Sequence, residues 1–411
     1  MQACDIFRPT EILLPDFSRI DGSRWATVAC DQYTSQPDYW ERVRETVGNA
    51  PSTLHLMLPE LYLSESERHI PQIHRAMETA LTDWLIPYPD SMIFTERTQA
   101  DGRVRRGIVG AVDLEAYDYS AGATAPIRAT EGTVLERIPP RVRIRRGAPL
   151  EMPHVMLLFD DPHDTVIGPL LSARPSLPLL YDFGLMENGG HIRGYRLDAD
   201  RQATLTDALN RLTEGQGEHP LLFAVGDGNH SLASAKAAYE EIKAAIGAEA
   251  ARSHPARYAL AEIVNIHDSA LDFEPIYRVV FDVNPNALLA DFSAYASAQT
   301  GSAAAQEFHA VTAEGGQVIT VPSPVYQLPV ATLQAFLDSR ASLTIDYIHG
   351  EDALRSLAAR PNAVGFLFRG MEKSALFPAI LADGALPRKT FSMGHAHDKR
   401  FYLECRRIRE A

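Results

Sequence analysis

A mixed α/β (α+β) fold of two or three lobes is what this chain predicts, and three observations carry the prediction. Its 411 residues suffice for two or three cores of ordinary size. Short β-branched runs alternate with stretches in which apolar residues recur at helical spacing. Between them, Leu221–Lys236 reads LLFAVGDGNHSLASAK, an apolar run, a polar glycine turn and an alanine-rich helix.

The elements follow in order. Trp25–Ala29 reads as a strand, and the polar turn Asp31-Gln32-Tyr33-Thr34-Ser35-Gln36 comes after it. Pro37 favours a first helical turn, and Tyr39, Trp40, Val43 and Val47 supply the apolar stripe of a helix. A second helix is expected from about Ser64 to Ile86, opened by Ser64-Glu65-Ser66-Glu67, whose acids suit a helix N-terminus. Ser91–Glu96 and Arg105–Asp113 read as a hairpin around Ala100-Asp101-Gly102. Tyr258–Ile266 and Ala363–Phe368 read as strands, and Asn286–Ala296 and Gln334–Arg340 as helices. Three parts are expected, residues 1–125, 126–280 and 281–411.

Composition bounds the function. Hydrophobic residues at 45% and charged residues at 22% describe a globular chain, and no apolar run approaches the roughly 18 residues of a membrane helix. A net charge of −14 argues against a general nucleic-acid binder, since Lys and Arg supply most of that affinity. The N-terminus MQACDIFRPTEILLPD lacks the basic, apolar and small-residue regions of a secretion signal. Cys4, Cys30 and Cys405 are scattered and odd in number, which suits reduced thiols. A soluble cytoplasmic protein is expected; its oligomeric state is not legible.

The turn Gly226-Asp227-Gly228-Asn229-His230-Ser231 is the strongest chemical signal. Two glycines let backbone approach a ligand, and the helix start offers N–H groups and partial positive charge to a phosphate. Asp227, Asn229, His230 and Ser231 bring groups that bind metal, move protons or donate hydrogen bonds. The same residues also make an ordinary helix start with Asp227 or Asn229 as the N-cap.

A second signal is Arg141-Val142-Arg143-Ile144-Arg145, whose alternation, read as a strand, sets three guanidiniums on one face. With Arg128, Arg137 and Arg146 it makes six arginines and no lysine in nineteen residues. Arginine grips phosphate or carboxylate with two prongs; a solvated face balancing Glu131, Glu136 and Glu151 is the alternative. His267 and Asp268, after a strand, are candidates for the same cleft as the glycine turn, or an ordinary surface pair. His395 and His397 form an HxH pair able to share a metal, set beside Lys399 and Arg400, which suit a phosphate contact.

The runs DQYTSQPDYW (31–40), RATEGTVLERIPPR (128–141), VGDGNHSLASAK (225–236) and FSMGHAHDKRFYLE (391–404) resemble a bacterial family catalogued as domain of unknown function 1015. Four motifs in the family's order span nearly the whole chain. Members are often encoded beside enzymes of phosphorylated serine biosynthesis, which implies work on serine, phosphoserine or a relative. The glycine turn also resembles the nucleotide loops of the ParB and sulfiredoxin-like superfamily, which includes serine kinases. It matches at Asp227, Gly228 and His230 and departs at Ser231, where that superfamily has arginine.

These resemblances imply a nucleotide-dependent phosphotransferase acting on a small hydroxyl metabolite, most readily free serine, with Mg²⁺ and ATP or ADP. Asp227 would hold Mg²⁺ or take the hydroxyl proton, and His230 would contact phosphate or relay a proton. Gly226, Gly228, Asn229, Ser231, Arg137, Arg141, Arg143, Arg145, Lys399 and Arg400 would bind the phosphates or nucleotide, with Arg141, Arg143, Arg145, Lys399 and Arg400 neutralising the charge. Asp31, Gln32 and His267 would hold the amino acid. Two alternatives stand beside it, a metal-dependent hydrolase using Asp227, His230, His395 and His397, and a non-catalytic sensor of phosphoserine or nucleotide.

Overall fold

A computed structural model describes residues 2–340 and 342–410. The chain forms two compact units. The first comprises residues 1–129, 133–271 and 395–411, and the second residues 130–132 and 272–394. The sequence parts 1–125 and 126–280 share one sheet, so most of their residues belong to a single unit, and the FSMGHAHDKR run is divided between the two units after Gly394.

The first unit is built on a mixed sheet. Its strands run in the order Leu179–Gly184, His191–Arg196, Ile93–Thr98, Val104–Asp113, Tyr258–Asn265, Met156–Phe159, Phe223–Asp227, Ile127–Ala129 and Tyr117–Asp118, with Phe7–Arg8 also on Val104–Asp113. Both faces are buried. Phe94, Ile108, Phe159 and Phe223 enter one core, while Ile93, Val109 and Leu260 enter another with Trp25 and Trp40. Neighbouring residues such as Ile93 and Phe94 go to opposite cores because strand side chains alternate.

The expected hairpin is present as Ile93–Thr98 and Val104–Asp113, with Gly102 at φ +86° in its turn. The Pro37–Val47 helix buries the expected Tyr39, Trp40, Val43 and Val47. The second expected helix is shorter than read. An α-helix covers Ser66–Thr79, a π turn follows to Trp84, and Leu85–Ser91 is a strand. Pro87 and Pro89 favour extended residues before them, which overrides the helical spacing of Leu85 and Ile86. Trp25–Ala29 contracts to the strand Thr27–Val28, paired with Phe401–Tyr402.

The Arg141–Arg145 strand is a misreading. Ile138–Arg145 is a helix with proline in its first turn. Pro139 and Pro140 supply the fixed φ that a helix start needs and remove donors the first turn would leave unpaired, whereas a strand would lose ladder bonds.

The second unit is an antiparallel sheet in the order Gly315–Val321, Gln306–Thr312, Val364–Phe368, Phe273–Phe281, Thr344–His349, with Phe391–Met393 on the start of Phe273–Phe281. Its helices include Pro285–Ala298 and Pro329–Asp338, close to the two expected there. Phe292 packs with Phe308, Phe336 and Phe366. Among the described residues, no helix is long and apolar enough to cross a membrane.

Below the first unit's sheet lies a fully buried charge network. Arg400 pairs with Glu262 and, at 2.7 Å, with Glu404, while its Nε donates to Pro153 O at 3.2 Å. Glu262 also accepts from Thr95 Oγ1 at 2.9 Å and faces Arg105 at 3.9 Å. Burial alone would raise the Glu262 carboxyl, but Arg400 and Arg105 outweigh it and hold the carboxyl below the ordinary value of 4.5. A depressed folded pKa adds stability that is present above the unfolded value and lost as pH falls through the folded one. Thermal unfolding temperature should therefore drop as pH is lowered below about 4.5. Glu262→Gln should lose about 1–3 kcal/mol in urea unfolding at pH 7, because the buried Arg400 keeps Glu404 but loses one of its two carboxylates, and should show a shallower acid dependence.

Candidate functional site

The glycine turn has the expected strand-turn-helix form, with Phe223–Asp227 a strand and Asn229–Ile246 an eighteen-residue helix. The cap is neither Asp227 nor Asn229 but Gly228, left-handed at φ +77°. A Cβ there would lie 3.0 Å from Val155 Cα and 3.3 Å from His154 Cδ2, so both conformation and space require glycine. The cap residue therefore brings no side chain of its own to the first-turn N–H groups.

Lys399 and Arg400 reach two different strands. Lys399 Nζ lies 3.6 Å from Asp227 Oδ2, and both side chains are about 15% exposed. Arg400 is buried on Glu262 and Glu404 and so is a structural residue, not the phosphate contact the sequence offered. Lys399 is extended, so the two consecutive side chains diverge. Arg97 Nη2 and Arg105 Nη1 donate to the His397 and Asp398 carbonyls at 2.9 and 2.7 Å, holding this segment in place.

Asp31 joins the cluster from the Thr27–Val28 side. Ala29 N–H donates to Arg400 O at 3.0 Å, which brings the following turn alongside Lys399. Burial would raise the Asp31 carboxyl, but His154, a hydrogen bond from Gln32 and Lys399 together hold it below its ordinary value. Gln32 Nε2 donates to Asp31 Oδ1 at 3.0 Å.

Three residues that sequence reasoning missed complete the site. Tyr402 Oη lies 2.8 Å from His154 Nδ1 and 3.0 Å from Cys30 Sγ, and it accepts from Cys30 N–H at 3.3 Å. Cys30, His154 and Tyr402 line a cavity of about 130 Å³ that also touches Ser231 and Ser234 of the Asn229–Ile246 helix. Cys30 and Tyr402 lie in sequence beside the DQYTSQ turn and the HAHDKR run, but no local pattern marks either of them or His154.

The arginines fall differently from the sequence expectation. Arg141 and Arg145, one helical turn apart, line the cavity, where they pair with Glu60 and Glu151. Arg143 lies on the exposed side, since i and i+2 do not share a helix face. Arg137 is exposed, and its carbonyl accepts from Arg141 Nη1. Arg128 is buried, donating to the Ala125 and His219 carbonyls. His230 sits at the helix start, where its Nε2 accepts from Val134 N–H at 3.4 Å and its carbonyl from Ser234 Oγ at 2.6 Å.

His267 is not beside the turn. Phe223–Asp227 runs antiparallel to Met156–Phe159, so Asp227 is level with Met156 and Glu262, whereas Asn265 is level with Phe159. Three residues of strand, about 10 Å at 3.3 Å each, already separate those levels. His267 Nε2 instead meets Asp160 Oδ1 at 2.7 Å at that far edge. The His395 and His397 rings stack at 5.4 Å around a 3₁₀ turn. Among the described residues, no three of His, Cys, Asp and Glu are grouped to hold a metal ion.

Burial pushes the Cys30 thiol well up, and the nearby Asp31 and Glu60 carboxylates push it further. Cys405 is buried and raised in the same way, while Cys4 is exposed. Since the thiolate is the reactive form, a disulfide reagent at pH 8 should label one thiol per native chain quickly and all three only after unfolding.

Several solved structures match this chain at low similarity. A free serine kinase in complex with AMP is 11% identical, covering 73% of this chain and 90% of its own, with a TM-score of 0.37. A conserved hypothetical protein from Pyrococcus furiosus is 10% identical, covering 73% and 94%, with a TM-score of 0.36. SbnI with a C-terminal truncation, from Staphylococcus aureus, is 7% identical, covering 70% and 82%, also at 0.36. At such TM-scores nothing about this chain's chemistry follows from them. No curated protein matches. Residues 15–340 match the model of the family described as a protein of unknown function (DUF1015), and the chain belongs to that family.

Proposed function

We propose that this chain is a nucleotide-dependent phosphotransferase whose acceptor is a small hydroxyl metabolite, free serine or a related amino acid. The observation that carries the reading is the glycine-capped start of an eighteen-residue helix with Lys399 and Asp227 paired beside it at 3.6 Å. A helix N-terminus contributes up to about 2 kcal/mol to holding an anion. That is small against the several charges of a nucleotide tail, so a mobile cation is required, and Lys399 supplies one.

Mg²⁺ suits the donor set. Asp227, beside Lys399, would hold it together with phosphate oxygens, one carboxylate plus substrate phosphates being a set this ion takes. When bound, it would neutralise phosphate charge. Lys399 turns from Asp227 to the phosphate, and His230, at the helix start, takes the acceptor hydroxyl's proton as the new O–P bond forms and the terminal phosphoanhydride P–O bond breaks. Nucleoside diphosphate leaves when ATP is the donor, and monophosphate when ADP is. Asp31 orients the amino acid's ammonium.

Phosphorus NMR of the protein with Mg²⁺, ATP or ADP, serine and threonine tests this reading. A new phosphomonoester resonance is expected, and Lys399→Ala should lower kcat/KM for its formation by about 10²-fold or more, as removal of one charge-stabilising group typically does. Donor binding without any new resonance would replace this reading with the sensor alternative. An intact donor that does not bind would remove nucleotide chemistry altogether.

A further inference from the structure

The cavity behind the glycine turn has a chemistry that serine does not fill. Its apolar lining includes Leu56, Leu58, Leu63, Met77, Ile144 and Met152. Its charged members cancel in pairs, Arg141 with Glu60 and Arg145 with Glu151, so the wall is close to neutral. Tyr402, also in the lining, bridges His154 and Cys30. This part of the wall adjoins the turn: His154 Cδ2 lies 3.3 Å from the position of a Cβ on Gly228, and Ser231 lines the cavity. Asp31 follows the lining residue Cys30 in the chain.

The volume of about 130 Å³ equals that of roughly four water molecules. Water has few polar partners along an apolar wall, and serine's single methylene would leave most of the space without contacts. A second ionic group inside would face walls whose charges are already paired, so its own charge would go uncompensated.

We propose that this cavity is the acceptor pocket and that the acceptor is a hydroxy amino acid carrying a short hydrocarbon branch, about two to four carbons by volume, with its ammonium at Asp31. The proposal rests on the phosphotransferase reading for the chemistry of the head, not for the pocket itself.

Calorimetric titration of the unaltered protein with L-serine, L-threonine, 3-hydroxynorvaline and 3-hydroxyleucine tests it, with and without ADP. Each added carbon should tighten binding by about three- to four-fold, the transfer value for a buried methylene. Ser234→Leu, which fills the cavity, should remove that dependence; the series on the unaltered protein decides the question even where the variant does not fold. Affinity that is flat or falls with branch length, or no binding by any of the four, overturns the proposal. A rising series without phosphoryl transfer keeps the pocket and removes the kinase reading. Transfer to serine with a flat series removes the pocket alone.

Discussion

The ion pair between Arg400 and Glu262 is the constraint on which the site depends. Desolvating two such charges costs several kcal/mol per ion, and the pair is tolerable because both ions have further partners. Arg400 has Glu404 and the Pro153 carbonyl, and Glu262 has Thr95 and Arg105. With Arg400 anchored, its two neighbours have nowhere else to go. Lys399 is delivered to Asp227 on one side, and Phe401–Tyr402 is zipped to Thr27–Val28 on the other, which brings Tyr402 to His154 and Cys30.

The same network explains how so acidic a chain presents a cationic point. Arg97, Arg105 and Arg400 gather under one segment with Glu262 and Glu404. Burial, helped by the neighbouring Arg105, pushes Arg97 down only to about 9, so it stays charged at neutral pH. Arg97 donates to the His397 carbonyl, and Arg105 donates to the Asp398 carbonyl while also facing Glu262. Arg97 thereby keeps positive charge on the segment that carries Lys399, while the net charge of −14 is carried by other parts of the chain.

What the sequence made legible was local. Two glycines around an aspartate announce a strand-turn-helix, and only glycine reaches φ +77° against Val155 without strain, so that element was readable. The Asp101-Gly102 hairpin and the Pro37 helix were readable for the same reason, since turn chemistry and spacing lie within a few residues. The arginine segment was misread because a period-two alternation outweighed two prolines whose fixed φ favours a helix start. Arg400 was misassigned because nothing adjacent reveals a buried partner 138 residues away. His154, Tyr402 and Cys30 were missed on the same ground, their hydrogen bonds being created by strand pairing and by no motif.

Topology accounts for what the site contains and what it leaves out. Ligands collect beyond the carboxyl ends of strands where a sheet is parallel, and this sheet is mixed. Phe223–Asp227 runs parallel to Ile127–Ala129, with Val225 level with Ala129, so both strands end at the same edge. The chain that follows Ala129 therefore leads back to the glycine turn. Val134 meets His230 there, and the Ile138–Arg145 helix packs beside Asn229–Ile246, placing Arg141 and Arg145 on the cavity wall. Tyr258–Asn265 runs the other way relative to Phe223–Asp227, and His267 is carried to the opposite edge with Asp160. Strand direction, more than residue type, decides which of the candidate groups meet at the turn.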